Sequence, residues 1–486
     1  MLKAVTTQNI KKIPCLPDHL AALFLAAADN GRPTADDLIA LLSQMALGAD
    51  LDLAKKATAS LYNRIILPLC DDFSTHGIQV ANNVLITMIQ TFCRTKKGDK
   101  TRQILEKFHL TDRKSFLIRH RTLCLTRTLS PAERRAVKKV FILSRVSLGA
   151  DIAITSLILA RTQKALPEAE IFLVGPDHLR QLFYFDGLHY LDFSYNREGD
   201  FPEKMAAWPR LFHLIAKETA NFSPQEILLF DPDTRLSQLG LLPLTHTSAT
   251  HYLCSRQDRS EKLSLTAITQ AWLDQIFPES LPSAPHFQIN PDQFATCQSF
   301  AKRLPPTTFK IIINFGVGHD DNKRLADPFE EELLTSLLQR KNTLIILDSG
   351  KGELEEGMAK RLMAKLGEKG YNTAELSERQ LADADISLQH GLLRFSGRID
   401  AMAGLIRSSD LFIGYDSCGQ HVATATETPS IICFTGAANK RFLERWQPSN
   451  HHGKTTTVII EQKPLNPEQR SGLIEKIVRT ADRYRS

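Results

Sequence analysis

Aspartate, serine, glycine and histidine gather in the stretch FIGYDSCGQHVATATETPSIICFTG, residues 412–436, between two apolar runs. The first run ends at Asp416, and Ser417-Cys418-Gly419 turn the chain into a helix of small residues. A helix N-terminus exposes unpaired N–H groups and the positive end of the backbone dipole, so it can bind an anion. Ser417 adds a hydroxyl, Gly419 allows close backbone approach, and His421 falls in the first turn. The alternative is that Asp416 and Ser417 only cap the helix. A second turn, NFGVGHDDNKR (314–324), combines Gly316 and Gly318 with the cations Lys323 and Arg324. Such a loop could cradle a phosphate, or Lys323 could be an ordinary surface lysine. Neither GxGxxG nor GxxxxGK[ST] occurs, which argues against dinucleotide-dehydrogenase and P-loop chemistry. Two further turns of glycine with polar residues lie at 147–151, ending in Asp151, and at 348–353, ending in Glu353.

These turns need strands to hold them. KVFILSRV, a helical pattern and EIFLVG follow one another from residue 138, a βαβ unit that implies a parallel sheet. EILLFD (226–231) and HYLCS (251–255) read as later strands of the same sheet. The proline-rich PESLPSAPHFQINP (278–291) reads as a boundary. The grammar then restarts with strands at FKIIINFG (309–316), TLIILDSG (343–350), SDLFIGYD, SIICFTG and TTVIIE (456–461), interleaved with helices. Ligands of open parallel sheets bind beyond the carboxyl ends of the strands, which is where the four turns fall. Residues 17–93 read instead as short amphipathic helices. Leu20, Leu23, Phe24 and Ala27 give one face and Leu38, Leu41, Leu42 and Met45 another, with Asn30-Gly31 as a stop and Thr34 as a cap. The expected organisation is an all-α region with a basic linker over 1–135, a Rossmann-like lobe over 136–300, a second over 301–463 and a last helix over 464–486.

Composition narrows the class. The 486 residues carry a net charge of +6 and 43% hydrophobic residues, ordinary for a globular chain of two or three domains. The eight cysteines form no CxxC pair, which argues against a zinc site and for a reduced, cytoplasmic protein. No apolar run has membrane-spanning length. Between residues 94 and 145 sixteen Lys/Arg face four Asp/Glu, a local +12 (16 − 4), leaving −6 (6 − 12) for the remainder. Such a stretch is either a solvated helix face or a contact for an anionic surface. It lacks aromatic interleaving and any nucleic-acid motif, so nucleic acid is not an expected partner. If it docks on an anionic inner-membrane surface, the preceding helices would be a spacer or dimerisation unit.

Taken together, GLLRFSGRIDAMAGLIRSSDLFIGYDSCGQHVATATETPSIICFTG resembles the donor-binding core of glycosyltransferase family nine, the ADP-heptose:lipopolysaccharide heptosyltransferases. Asp416 and His421 keep that family's five-residue separation, and Pro429, Phe434, Gly436 and RWQP (445–448) follow in order. VFILSRVSLGADIAITSLILARTQKALPEAEIFLVG resembles its opening unit, and IIINFGVGHDDNKR its lysine loop. The resemblance covers roughly residues 138–480 and departs twice. Ala150 is inserted between Gly149 and Asp151, and Cys418 stands where the family has glycine, with glycine displaced to 419.

The resemblance implies a two-lobed GT-B fold. It implies inverting, metal-independent transfer of a sugar from an ADP-sugar or other nucleotide-diphosphate sugar to a glycan or glycolipid acceptor, with no cofactor. Asp151 is then the candidate base. Lys323, Gly316, Gly318 and the 416–419 turn would hold the diphosphate, and Glu353 the ribose. His421 either reaches the phosphate or packs beneath the loop. DPDTR (231–235) is the nearest thing to a metal-binding DxD and reads better as a cap and surface pair. Two other readings stay open: a non-catalytic nucleotide- or polyanion-binding protein on the same scaffold, and a GT-B-like sugar-nucleotide epimerase.

Overall fold

Two sheets, parallel throughout, carry the strands of the computed structural model, which describes residues 15–29, 36–258, 262–279, 283–318, 320–383, 388–436, 439–450 and 452–485. The first sheet runs β3-β2-β1-β4-β5, with β1 (Lys139–Leu143) central, β2 (Glu170–Gly175), β3 (Leu188–Asp192), β4 (Ile227–Asp231) and β5 (Thr250–Tyr252). The second runs β12-β11-β10-β6-β7-β9-β8. Its strands are β6 (Phe309–Asn314), β7 (Thr343–Asp348), β8 (Thr373–Ser377), β9 (Gly391–Ser396), β10 (Leu411–Tyr415), β11 (Ser430–Thr435) and β12 (Thr455–Ile460). Parallel neighbours cannot be joined by tight hairpins, so helices, or longer loops as from β2 to β3 and β4 to β5, return the chain, and the helices cover the faces. That is why KVFIL and SIICFT are buried along their whole length. The strands β3, β8 and β9 are not among those expected from sequence; β3 and β8 are partly buried edge strands, whereas β9 is buried from Gly391 to Phe395.

The N-terminal helices do not stand apart. Alternate residues of a strand point to opposite faces. Val140, Ile142, Leu173 and Phe230 pack with the helices Ser156–Ala165 and Leu265–Ile276. Phe141, Leu143, Phe172, Val174 and Leu229 face the other way and share one apolar cluster with Leu20, Phe24, Ile39, Leu42, Ile65, Phe92 and Phe116. Trp208 and Leu211 of helix Phe201–Thr219 belong to the same cluster. The helical region therefore roofs one face of the first sheet. Because this region shares its core with the sheet, it is not a detached spacer. Its first helix, Leu16–Asp29, buries Leu20, Ala21 and Phe24 and leaves Leu23 exposed. The expected stop at Asn30-Gly31, the Thr34 cap and part of the proline-rich boundary lie outside the described residues.

The basic stretch is partly consumed by this packing. Arg119 is buried and donates to the Gly240 carbonyl. Arg113 pairs with Asp36 at 2.7 Å, Arg127 with Glu133 at 2.6 Å, Arg134 with Glu279 at 3.1 Å and Lys139 with Glu218 at 3.3 Å. Arg145 turns into the first lobe. Lys96, Lys97, Lys100 and Lys107 remain exposed.

A shared core makes a direct prediction. Residues 137–486 expressed alone should bare the Phe141–Phe172 face and aggregate or bind a hydrophobic dye without cooperative melting. A soluble 137–486 fragment melting cooperatively near the full-length temperature would contradict the shared core.

Candidate functional site in the cleft between the lobes

The carboxyl ends of β1, β4 and β5 face those of β6, β7 and β10 across a cleft. At its floor the lobes touch. A Cβ built on Gly149, in the turn after β1, would lie 2.9 Å from His421 Cδ2 and 3.3 Å from the Cys418 Cα. Glycine is thus required at 149 because the turn of one lobe lies directly against the helix Cys418–Ala425 of the other.

On the second lobe, the loop bearing Lys323 is tied to the end of β11 and to the segment after β12. Thr435 Oγ1 donates to the Asn322 carbonyl at 2.9 Å, Lys463 donates to the Asn322 and Arg324 carbonyls, and Gly436 (φ +63°) leaves no room for a Cβ beside Asn322. So fixed, Lys323 reaches Asp416 Oδ2 at 2.6 Å and lies 5.1 Å from the centre of the Phe442 ring. Asp416 is buried and also accepts from Gln420 Nε2 at 2.6 Å.

Ser417 occupies the N-cap position, but its buried Oγ has no hydrogen-bond partner among the described residues. Hydroxyls at this position normally bond a first-turn N–H. Burial pushes the half-buried Cys418 thiol up to about 12, so it is not a nucleophile at neutral pH. Gly419 has a different reason from the one expected: a Cβ there would strike the Phe412 ring at 2.5 Å, so the close approach is to the core. His421 is buried with its ring edge-on to Trp446, and burial, aided by Lys323 and opposed by Asp416, lowers its pKa to about 4. It is a neutral imidazole that packs between the lobes.

A small cleft beyond β6 and β7 is lined by Phe315, Gly316, Asp348, Gly350, Glu355 and Met358. Glu353, the glutamate expected at the ribose, is exposed at the first position of its helix. Glu355 takes the inward place. It accepts from Lys351 N at 2.7 Å and Gly318 N at 3.4 Å, and a Cβ on Gly316 would lie 2.9 Å from it. Two residues along a helix turn a side chain by roughly 200°, so the two glutamates point in opposing directions.

On the first lobe, Asp151 has no exposed surface. Its oxygens accept from Ser144 Oγ, Arg145 N and Thr155 Oγ1, each at 2.7 Å. Burial lifts its pKa to about 6 against those three bonds. The bonds brace a turn whose Val146 has φ +64°, a left-handed conformation that a β-branched residue adopts only under constraint. The turn aims the Arg145 side chain at the carbonyls of Pro232 and Asp233. Asp233, the second acid of DPDTR, is buried rather than on the surface as expected. It accepts from Tyr252 at 2.5 Å and Ser255 at 2.6 Å, and pairs with Arg256 at 2.5 Å. Burial opposes its charge, but Arg256, Arg145 and the two hydroxyls outweigh it and hold the carboxyl below the usual range. Sequence reasoning missed Arg145, Arg235 and Arg256, which stand at the ends of three different strands and match no local motif.

No family model matches the chain, and no curated protein does. Among solved structures, a glycosyl transferase family 9 protein from Veillonella parvula DSM 2008 superposes with a TM-score of 0.50 at 14% identity, covering 72% of this chain and 97% of that one. E. coli ADP-heptose lps heptosyltransferase II gives 0.47 at 14% identity, over 71% of this chain and 98% of that one. E. coli heptosyltransferase WaaC with ADP gives 0.46 at 14%, over 70% and 99%. The chain has the two-lobed GT-B fold, with an N-terminal helical region built onto its first sheet.

The contact at Gly149 is testable. Gly149→Val should force the turn away from Cys418 and His421 and destabilise the protein by about 1–3 kcal/mol, the usual range for overpacking. Chemical denaturation followed by tryptophan fluorescence reads this through Trp446, beside His421. An unchanged midpoint would mean that the lobes do not meet there in solution.

Proposed function

We propose that the cleft transfers a sugar from a nucleotide-diphosphate donor, held on the second lobe, to a saccharide or glycolipid acceptor on the first. One observation carries the reading: a rigidly tied lysine, Lys323, stands beside a helix N-terminus whose capping hydroxyl is unsatisfied. Departing diphosphate needs positive charge arranged in advance, and a lysine with oriented N–H groups supplies it in the way a metal would. Glu355, in place of Glu353, is the acid we assign to a nucleoside hydroxyl, with Gly316 packed against it and the Gly318 N–H directed at it. The family resemblance of residues 391–436 makes ADP-heptose the first donor to test.

Direct inverting displacement also needs a group that takes the acceptor's proton. Asp151 meets this need only by releasing Ser144, Arg145 and Thr155, since both its oxygens are engaged and covered. In the arrangement described its work is to brace the turn.

Lys323→Ala should weaken ADP binding by about 1.5–3 kcal/mol, the range for a hydrogen bond to a charged group, and should also lower the melting temperature, because it leaves the buried Asp416 without its cation. Titration calorimetry of the two proteins with ADP checks this. Equal affinities would remove the 314–324 loop from the donor site.

A further inference from the structure

The helical region does more than roof a sheet. Helix Leu67–Asp71 ends at the cleft, and Asp72-Phe73-Ser74 form a strap leading into helix Thr75–Cys93, with Phe73 at φ +52°. The strap is fastened to the second lobe by Arg441, which donates to the Asp72 carboxylate and, at 2.6 Å, to its carbonyl. Asn439 Nδ2 reaches the Asp71 carbonyl at 3.4 Å, and the buried Phe73 meets the Phe442 ring edge-on at 6.3 Å. To the first lobe it is fastened by Thr75 N, 3.1 Å from Asp258 Oδ2. Phe442 is the ring over which Lys323 lies.

Asp71 is thereby held between the lobes. The charges that act on its carboxylate are Arg145, Arg235 and Arg256 of the first lobe and Lys323 of the second. Arg197 and the neighbouring buried Cys70 also interact with it electrostatically. Asp233 sits with Arg145 and Arg256, Asp416 with Lys323, and Asp72 with Arg441. Asp71 differs from these acids. Like Asp72 it is partly exposed, but among the described residues its carboxylate forms no ion pair and accepts no hydrogen bond.

We propose that Asp71, supplied by the N-terminal helices, is the catalytic residue that takes the acceptor's proton, and that Asp151 is a positioning residue for the turn carrying Arg145. The proposal rests on the transfer reading above. In the step, the acceptor O–H bond breaks and its proton passes to the Asp71 carboxylate. The oxygen's electron pair forms the bond to the anomeric carbon. The bond from that carbon to the diphosphate oxygen breaks, and its pair leaves on the diphosphate, beside Lys323. Burial raises the Asp71 pKa above the ordinary value, while Arg256, Arg235, Lys323 and Arg145 pull it down. A raised value suits a base that is ionised at neutral pH and still takes up a proton.

The test uses the full-length chain with ADP-heptose and with water as acceptor, since hydrolysis requires removal of the same kind of proton. ADP release by Asp71→Asn should be about 10²–10⁴-fold slower than wild type, the usual worth of a general base. ADP affinity in calorimetry should stay within about threefold, or ~0.65 kcal/mol. The wild-type rate should rise with pH through the raised Asp71 pKa and then level off. Asp71→Asn should lose that limb, and Asp71→Glu should keep it, which also covers the case of an asparagine variant that does not fold. Wild-type rate and pH profile in Asp71→Asn would overturn the assignment. So would faster release with tighter ADP binding, which would make Asp71 an occupant of the cation site. Wild-type protein that binds ADP but releases none from ADP-heptose would overturn the transfer reading itself, and this proposal with it.

Discussion

The contact of Gly149 with Cys418 and His421 sets the spacing between the two lobes, and the geometry of the cleft follows from it. A side chain at 149 would separate two strand ends, one carrying Arg145 and the other Asp416 and the helix N-terminus. Glycine at this point costs backbone entropy and gives only proximity in return. Proximity is what a two-substrate site needs, because reacting groups must be held within about 3–3.5 Å of one another. The neutrality of His421 fits this constraint. An imidazolium packed between Trp446 and the opposing turn would bring a buried charge to the contact between the lobes.

A second constraint comes from the N-terminal helices. They form a third element that touches both lobes. The helices complete the core of the first sheet through Phe141, Phe172 and Leu229, and the strap at 71–73 grips Asn439, Arg441 and Phe442 of the second lobe. Motion of one lobe against the other must therefore slide or release Asp72 and Phe73. Arg441 and Asp72 are both partly exposed, so their ion pair alone contributes little, about 1 kcal/mol or less. Most of the grip comes from burying Phe73 against Phe442.

Much of this was legible in the sequence, and the failures have physical causes. The strands β1, β6, β7, β10 and β11 are continuous apolar runs because helices cover both of their faces, and such runs stand out. LHYLD and TAELS form edge strands of mixed burial and carry no such signal, and the buried GLLRFS is missed as well because Arg394 interrupts its apolar run. The amphipathic pattern of residues 17–93 announced helices without saying what their apolar faces would meet, since periodicity is blind to the partner. The turn at 348–353 was placed correctly, but helix phase put Glu355 inward in place of Glu353. Gly419 reads in the sequence as room for close backbone approach, and in the fold that room is taken by the Phe412 ring. Asp71 matches no motif. Its significance arises from folding that brings its carboxylate within the electrostatic reach of Lys323 and of three arginines scattered over the first lobe.

The central claim is that the second lobe binds the diphosphate of a nucleotide sugar at Lys323 and the 416–419 turn. Hydrogen exchange of the full-length chain with and without saturating ADP tests it most directly. Bound diphosphate should slow exchange of the amides in 315–324 and 417–421, with weaker protection near 350–355, and should leave the far edge of the first sheet at β3 unchanged. Protection absent from these turns, or confined to the basic segment 94–107, would contradict the account.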